Sequence, residues 1–202
     1  MQNDHGPGNS HHPAAALRPD LALGIHHLTM LLQLPDGGIR NALPDADSCQ
    51  GRFIHTRWPE GISCPVCSDR SIRALPKRDL FFCSHCRKQF TATSGTALHR
   101  TRLPIQMWLL ATEAVIRWQP LHHVSGGITV DALGSLLGVH TEAAARMRRI
   151  IAADLGLEGE GLLRRAVCMK TLSLPPEITP GTSRHFELLA ARAFPFPDRL
   201  LT

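Results

Sequence analysis

The chain has 202 residues, 43% of them apolar, enough for one ordinary domain or two small ones with a genuine core. Aromatic residues make up only 5% and tyrosine is absent, so that core has to be built mostly from Leu, Ala, Val and Ile. A net charge of +5 leans toward an anionic partner, and no run of 18 apolar residues suggests a membrane span.

Residues 1–20 are rich in Gly, Pro, Asn, His and Ala and are expected to be disordered. Nothing fixes the geometry of His5, His11 and His12, so they read as a solvated tail rather than a metal tract. The N-terminus shows neither a basic n-region nor an apolar h-region. Six cysteines without an export signal are better read as thiols or metal ligands in a reducing cytoplasm than as disulfides. Residues 21–34 predict a short helix ended by Asp36-Gly37-Gly38, which completes a first segment over 1–43. Pro44-Asp45-Ala46-Asp47 starts another helix toward Arg57.

The next segment, 44–103, carries the strongest signal. Cys64-Pro65-Val66-Cys67 and Cys83-Ser84-His85-Cys86 form two C-x2-C pairs fifteen residues apart. Two residues between ligands let a tight turn aim both sulfurs at one ion, and two such turns complete a tetrahedron. Four thiolates leave no open position for water, so the spacing predicts one structural Zn²⁺. A redox CxxC would be a single motif at a βα junction. His85 lies between two ligands and is not expected to replace one. Cys49 and Cys168 have no partner at metal spacing and read as buried thiols. Short β-prone runs at Ile62-Ser63, Leu80-Phe81-Phe82 and Phe90–Thr93 suggest small hairpins. Basic charge concentrates here: residues 47–103 hold ten Lys/Arg against four Asp/Glu, whereas 156–202 hold six against five.

Pro104 opens a helical pattern in which Ile105, Trp108, Leu109, Thr112, Val115 and Ile116 recur at three- and four-residue steps. Trp118-Gln119-Pro120 ends it, and Ser125-Gly126-Gly127 reads as a loop. Two helices follow around Gly138, placed where a helix ends with φ > 0. Val130, Leu133, Leu136 and Leu137 form the expected inner face of the first, with Gly134 at a close crossing and Val139 as a plug. The second, from about Thr141, turns Ala143/Ala144, Met147 and Ile150/Ile151 inward and Thr141, Glu142, Ala145, Arg146, Arg148 and Arg149 outward. This is a helix-turn-helix pattern over 129–150; a generic helical hairpin is the competing reading. The fold class is therefore mostly α with a small β zinc ribbon, followed by a linking helix and a helix-turn-helix over 104–155.

Arg57-Trp58-Pro59-Glu60-Gly61, the CPVC pair, Phe82–Phe90, Ser94–Ala97 and His99–Pro104 with Trp108 beyond closely resemble the zinc ribbon of bacterial insertion-sequence transposases. The helix-turn-helix falls where that family has one, and the resemblance spans roughly 44–155. It implies a following RNase H-like nuclease whose three acidic residues hold two Mg²⁺ ions. Leu162–Lys170, where the first acidic strand is due, contains no carboxylate. Residues 156–202 form a Pro-rich segment that allows only short helices, such as one over 186–193, with part of it disordered. Glu158, Glu160, Glu177, Glu187 and Asp198 read as surface acids, and no catalytic residue is assigned.

These readings predict a non-enzymatic, zinc-dependent protein that binds double-stranded DNA in the cytoplasm, in association with the nucleoid. A homo-oligomer or a protein partner is compatible with the sequence. Phosphate contacts are expected from Arg73, Lys77, Arg78, Arg87, Lys88, Arg100 and Arg102. Base reading is expected from His140, Thr141, Glu142, Ala145, Arg146 and Arg149. The alternatives are a transposase truncated or broken in frame, and a zinc-ribbon docking module for another protein.

Overall fold

The computed structural model describes residues 19–118 and 127–195. Pro19 sits at the first position of α1 (Pro19–Gln33), where its missing N–H costs nothing. The helix buries Leu28 and Met30. Gly37 and Gly38, with φ of 74° and 82°, reverse the chain into α2 (Ile39–Ala42). The Ile39 amide donates to Glu113 Oε2 at 2.9 Å, so a distant carboxylate caps this one-turn helix. A Cβ at Gly38 would stand 2.5 Å from Glu113 Oε1, so both φ and space call for glycine there. Asp45 then starts α3 (Ala46–Arg57) with a reciprocal cap: its carboxylate accepts from the Ser48 amide at 2.7 Å, and its own amide donates to Ser48 Oγ.

Three short antiparallel strands follow in the order β1 (Ile72–Leu75), β2 (Leu80–Cys83), β3 (Gln89–Phe90). The register pairs Ile72 with Cys83 and Phe81 with Phe90. Phe81 and Cys83 point inward, as alternation along a strand requires. The strands lie partly elsewhere than the β-prone runs suggested. Ile62-Ser63 stays outside the sheet, and Thr91–Ser94 is a turn closed by the Thr91 amide on Ser94 Oγ at 2.9 Å. β1 was not anticipated. Arg73 interrupts its apolar pattern, but in the sheet its guanidinium lies 5.2 Å from the Phe82 ring centre, directly across the ladder.

The helical body is organised around α4 (Ile105–Trp118), in which all six residues of the expected stripe are buried. The Trp108 indole N–H donates to Thr101 Oγ1 at 3.1 Å. α5 (Val130–Leu137) is capped by Thr129 Oγ1 and ends at Gly138, φ 67°. α6 (Thr141–Leu155) buries Ala144, Met147 and Ile151. A Cβ on Gly134 would meet the Val139 carbonyl at 3.1 Å and Ala144 Cβ at 3.6 Å, the close crossing expected there. Among the apolar residues expected to face inward, Leu136 departs from the sequence reading: it is 55% exposed. At 100° per residue, the stripe defined by Val130, Leu133 and Leu137 leaves Leu136 on the flank.

α7 (Leu162–Val167) lies among α3, α4 and α6, with Leu162, Leu163, Ala166 and Val167 all buried. A six-residue helix has little stability alone; charges from the body hold both its ends. The buried Asp154 carboxylate accepts from the Leu163 and Arg164 amides at 3.1 and 3.0 Å. Arg52 donates to the Ala166 and Arg165 carbonyls at 3.0 and 2.8 Å. Each charge has the sign that complements the helix dipole. α8 (Ser183–Ala193), capped by Thr182, packs on α1, where Gly24 makes room for the Phe186 ring. Among the described residues, no helix is long and apolar enough to cross a membrane.

Candidate metal centre

Two turns of the same construction carry the four cysteines. In the first, the Ser68 amide donates to the Cys64 carbonyl at 2.9 Å and the Cys64 amide to the Asp69 carbonyl at 2.9 Å. In the second, the Arg87 amide donates to the Cys83 carbonyl at 2.9 Å and the Cys83 amide to the Lys88 carbonyl at 3.0 Å. The residue after each second cysteine is left-handed, Ser68 and Arg87 both at φ 61°. One turn leads into β1 through a short link, and the other joins β2 to β3. The sheet thus sets the two turns face to face.

The four sulfurs lie within 4.8 Å of one another. Cys64 Sγ is 3.6 Å from Cys86 Sγ, and Cys67 Sγ is 3.6 Å from Cys83 Sγ. A disulfide requires about 2.05 Å, and all six cysteines are free thiols. A tetrahedron with Zn–S bonds of about 2.3 Å has edges of about 3.8 Å, which these separations approach. Cys64 and Cys83 are buried and Cys67 and Cys86 half-buried. The four cysteines form a single zinc site. His85 is exposed and stands outside the cluster.

The thiols are poised unequally. Burial pushes the Cys64 thiol up, but the Cys67 and Val66 amides and the neighbouring sulfurs outweigh it and bring the group down to about 7. The Asp69 amide favours the Cys67 thiolate, yet burial and three nearby sulfurs push this thiol up to about 12. Cys86 is also raised: the Lys88 amide and the Cys67 sulfur favour its thiolate, but burial and the Cys64 and Cys83 sulfurs outweigh them. Zinc binding displaces the thiol protons, because only the thiolate is a ligand.

An unforeseen residue fastens this unit to the helices. Arg57, at the end of α3, donates from its guanidinium to the Ala92 and Ser94 carbonyls. Its Cζ lies 4.1 Å from the Trp58 ring centre. Burial lowers its pKa, with Glu160 opposing that shift. Trp58 in turn meets Phe81 and Phe90 edge-on at 6.0 and 6.2 Å. The adjacent Arg57-Trp58 at a helix end, ahead of two aromatic positions, was the available signal. Which carbonyls the arginine would find was not readable. Of the other cysteines, Cys49 is buried and Cys168 half-buried, and burial raises both thiols, Cys168 to about 11.

Arg73, Arg78, Arg87, Lys88, Arg100 and Arg102 are exposed; the side chain of Lys77 lies outside the described residues. His140, Thr141, Glu142, Ala145, Arg146 and Arg149 are also exposed, along one side of α6, whereas Arg148 is half-buried. Arg100 and Arg102 share a cleft of about 590 Å³ with Glu142 and Arg146. Arg73, Arg87 and Lys88 do not line it. Glu158, Glu160, Glu177 and Glu187 are exposed, and Asp198 lies outside the described residues.

No curated protein and no solved structure matches the chain. Residues 44–89 match the transposase zinc-ribbon domain, a stretch that contains α3, both turns and the four cysteines. The metal-holding part of this chain is thus a zinc-binding ribbon of the kind found in transposases.

Proposed function

We propose that this protein binds duplex DNA through its zinc ribbon and a helix-turn-helix formed by α5 and α6, and that it does so without a nuclease site of its own. The observation that carries the reading is the exposed side of α6. His140, Thr141, Glu142, Ala145, Arg146 and Arg149 lie on it, the opposite side is seated on α4 and α5, and a left-handed glycine makes the turn before it. A short helix held this way, with polar and basic groups outward, suits the major groove. The resemblance to transposase ribbons adds the expectation of DNA as partner. On this reading the ribbon arginines and Lys88 hold phosphates, and α6 reads base edges.

The structure of 156–193 bears on the broken-frame alternative. α7 fills a groove among three helices and meets a carboxylate at one end and a guanidinium at the other. An out-of-frame segment has no reason to match both. Docking to another protein draws on one observation, Val66, which is 66% exposed between two metal ligands.

Fluorescence anisotropy with duplexes at moderate salt tests the DNA reading. Arg149→Ala should weaken a selected site by about 1–3 kcal/mol more than random sequence if the side chain pairs with guanine. Arg78→Ala should weaken all sequences alike and lower the log-affinity against log-salt slope by about one unit. No binding to any duplex would transfer the ribbon to the docking reading. Metal-dependent nicking by the purified chain would overturn the absence of a nuclease site.

A further inference from the structure

The loop leaving the ribbon and the first turns of α6 meet although forty residues separate them in sequence. Their shared cleft, about 590 Å³, is lined by Arg100, Arg102 and Arg146, with Glu142 as the one carboxylate among the lining residues. All four side chains belong to exposed residues. Arg100 has φ 60°, a left-handed backbone that glycine adopts without penalty and other L-residues resist. The floor of the cleft is fixed: Trp108 is buried and tied to Thr101, and Met147 is buried.

We infer that this cleft is a composite DNA site, in which Arg100 and Arg102 grip the sugar-phosphate backbone beside the bases approached by Glu142 and Arg146. The inference rests on the DNA reading above and adds that ribbon and α6 engage one continuous stretch of duplex, not two independent ones. Glu142 sets the register. A phosphate brought against it is repelled, whereas the exocyclic amino group of cytosine can donate to it. The three arginines hold the duplex where only the second arrangement is available.

The test is a double-mutant cycle on a duplex selected for binding, using full-length zinc-loaded protein with Arg100→Gly and Arg146→Ala. Shared seating predicts that the double variant loses less affinity than the product of the single losses, by about three-fold or more. The control pair Lys88→Ala and Arg146→Ala should be multiplicative, because Lys88 lies outside the cleft. Arg100→Gly should also melt no lower than the parent, since it removes the left-handed penalty, so its loss of binding cannot be ascribed to unfolding. Glu142→Gln should bind random duplex several-fold more tightly and discriminate less. Multiplicative losses within two-fold for the Arg100/Arg146 pair, with DNA binding intact, would overturn the composite site and leave the DNA reading standing. Failure of the parent protein to bind any duplex would overturn both.

Discussion

The ribbon and the helical body are held by different physics. The strands β1–β3 pair extensively only with each other, and the apolar side chains at their heart are mainly Trp58, Phe81 and Phe90. So small a β-unit buries too little surface to fold by that means alone, and the metal supplies the difference. The helices share an apolar interior in which Trp108, Leu109, Leu133, Met147, Ile151 and Leu163 are almost wholly enclosed, and Phe81 and Phe90 of the ribbon join that same core from one side. Order in the ribbon is therefore chemically conditional, while order in the body depends on packing.

The sharpest way to break this contrast is to remove the ion. Cys64→Ser/Cys83→Ser takes one ligand from each turn, and zinc per chain should fall from about one to near zero. Amide-exchange protection should vanish across 60–95 and persist in α4, α6 and α7. Protection lost equally in both regions would show that the body depends on the ribbon. His85→Ala, outside the cluster, should keep the metal.

A second effect follows from proton displacement. The Cys67 thiol, pushed up to about 12, is protonated at neutral pH without metal, whereas Cys64 is drawn down to about 7. Zinc must displace the protons, so affinity rises with pH. On acidification through 7 the Cys64 thiol is protonated as well as Cys67, and the fall in affinity steepens. Competition with a coloured chelator from pH 8 to 6 measures this; a flat response would contradict the assigned ligands.

Within the body, Asp154→Ala exposes what packing alone cannot do. It leaves the Leu163 and Arg164 amides at the start of α7 without their acceptor, and should cost about 2–3 kcal/mol in thermal or urea unfolding. Arg52→Ala removes the opposite cap, from a more exposed position, and should cost about 1–2 kcal/mol. Neither variant should change zinc content. Loss of the metal in either would mean that α7 also supports the ribbon.

These differences also explain what could be read from sequence. The zinc ligands were legible because ligand spacing is a local constraint, satisfied within each four-residue turn. The α4 stripe was legible because five apolar residues and Thr112 recur at helical period. β1 was not, because Arg73 breaks its apolar pattern and the strand is defined by its pairing with β2, a contact outside its own four residues. α7 was missed for a related reason: six residues carry a weak pattern, and the groups that cap it, Asp154 and Arg52, lie 8 and 110 residues before its first residue, Leu162. Arg100 and Arg102 were named as basic residues of the ribbon segment, and Arg146 as part of the outward face of a helix. That Arg100 and Arg146 would face one space is a product of packing, which no local pattern records.

The smallest predicted effect compares one backbone conformation in the two regions. Gly138 and Ser68 have φ of 67° and 61°, nearly the same left-handed geometry. The body uses glycine there, and the ribbon uses serine. Nothing lies within 4 Å of a Cβ built on Gly138, so Gly138→Ala tests backbone strain without a clash and should destabilise by about 1 kcal/mol. Ser68→Gly runs the change in reverse. Relief of strain favours it, while the greater freedom of an unfolded glycine offsets part of the gain. In the zinc-loaded protein the turn is already fixed by two ligands, so the net change in melting should be small and not destabilising. In the metal-free protein the turn has only its hydrogen bonds, and glycine should then ease its closure, seen as faster zinc uptake in stopped-flow mixing. If Ser68→Gly instead slows uptake or lowers the melting temperature of the loaded protein, the serine side chain contributes to the turn, and the left-handed residue in the ribbon is not simply tolerated by the metal.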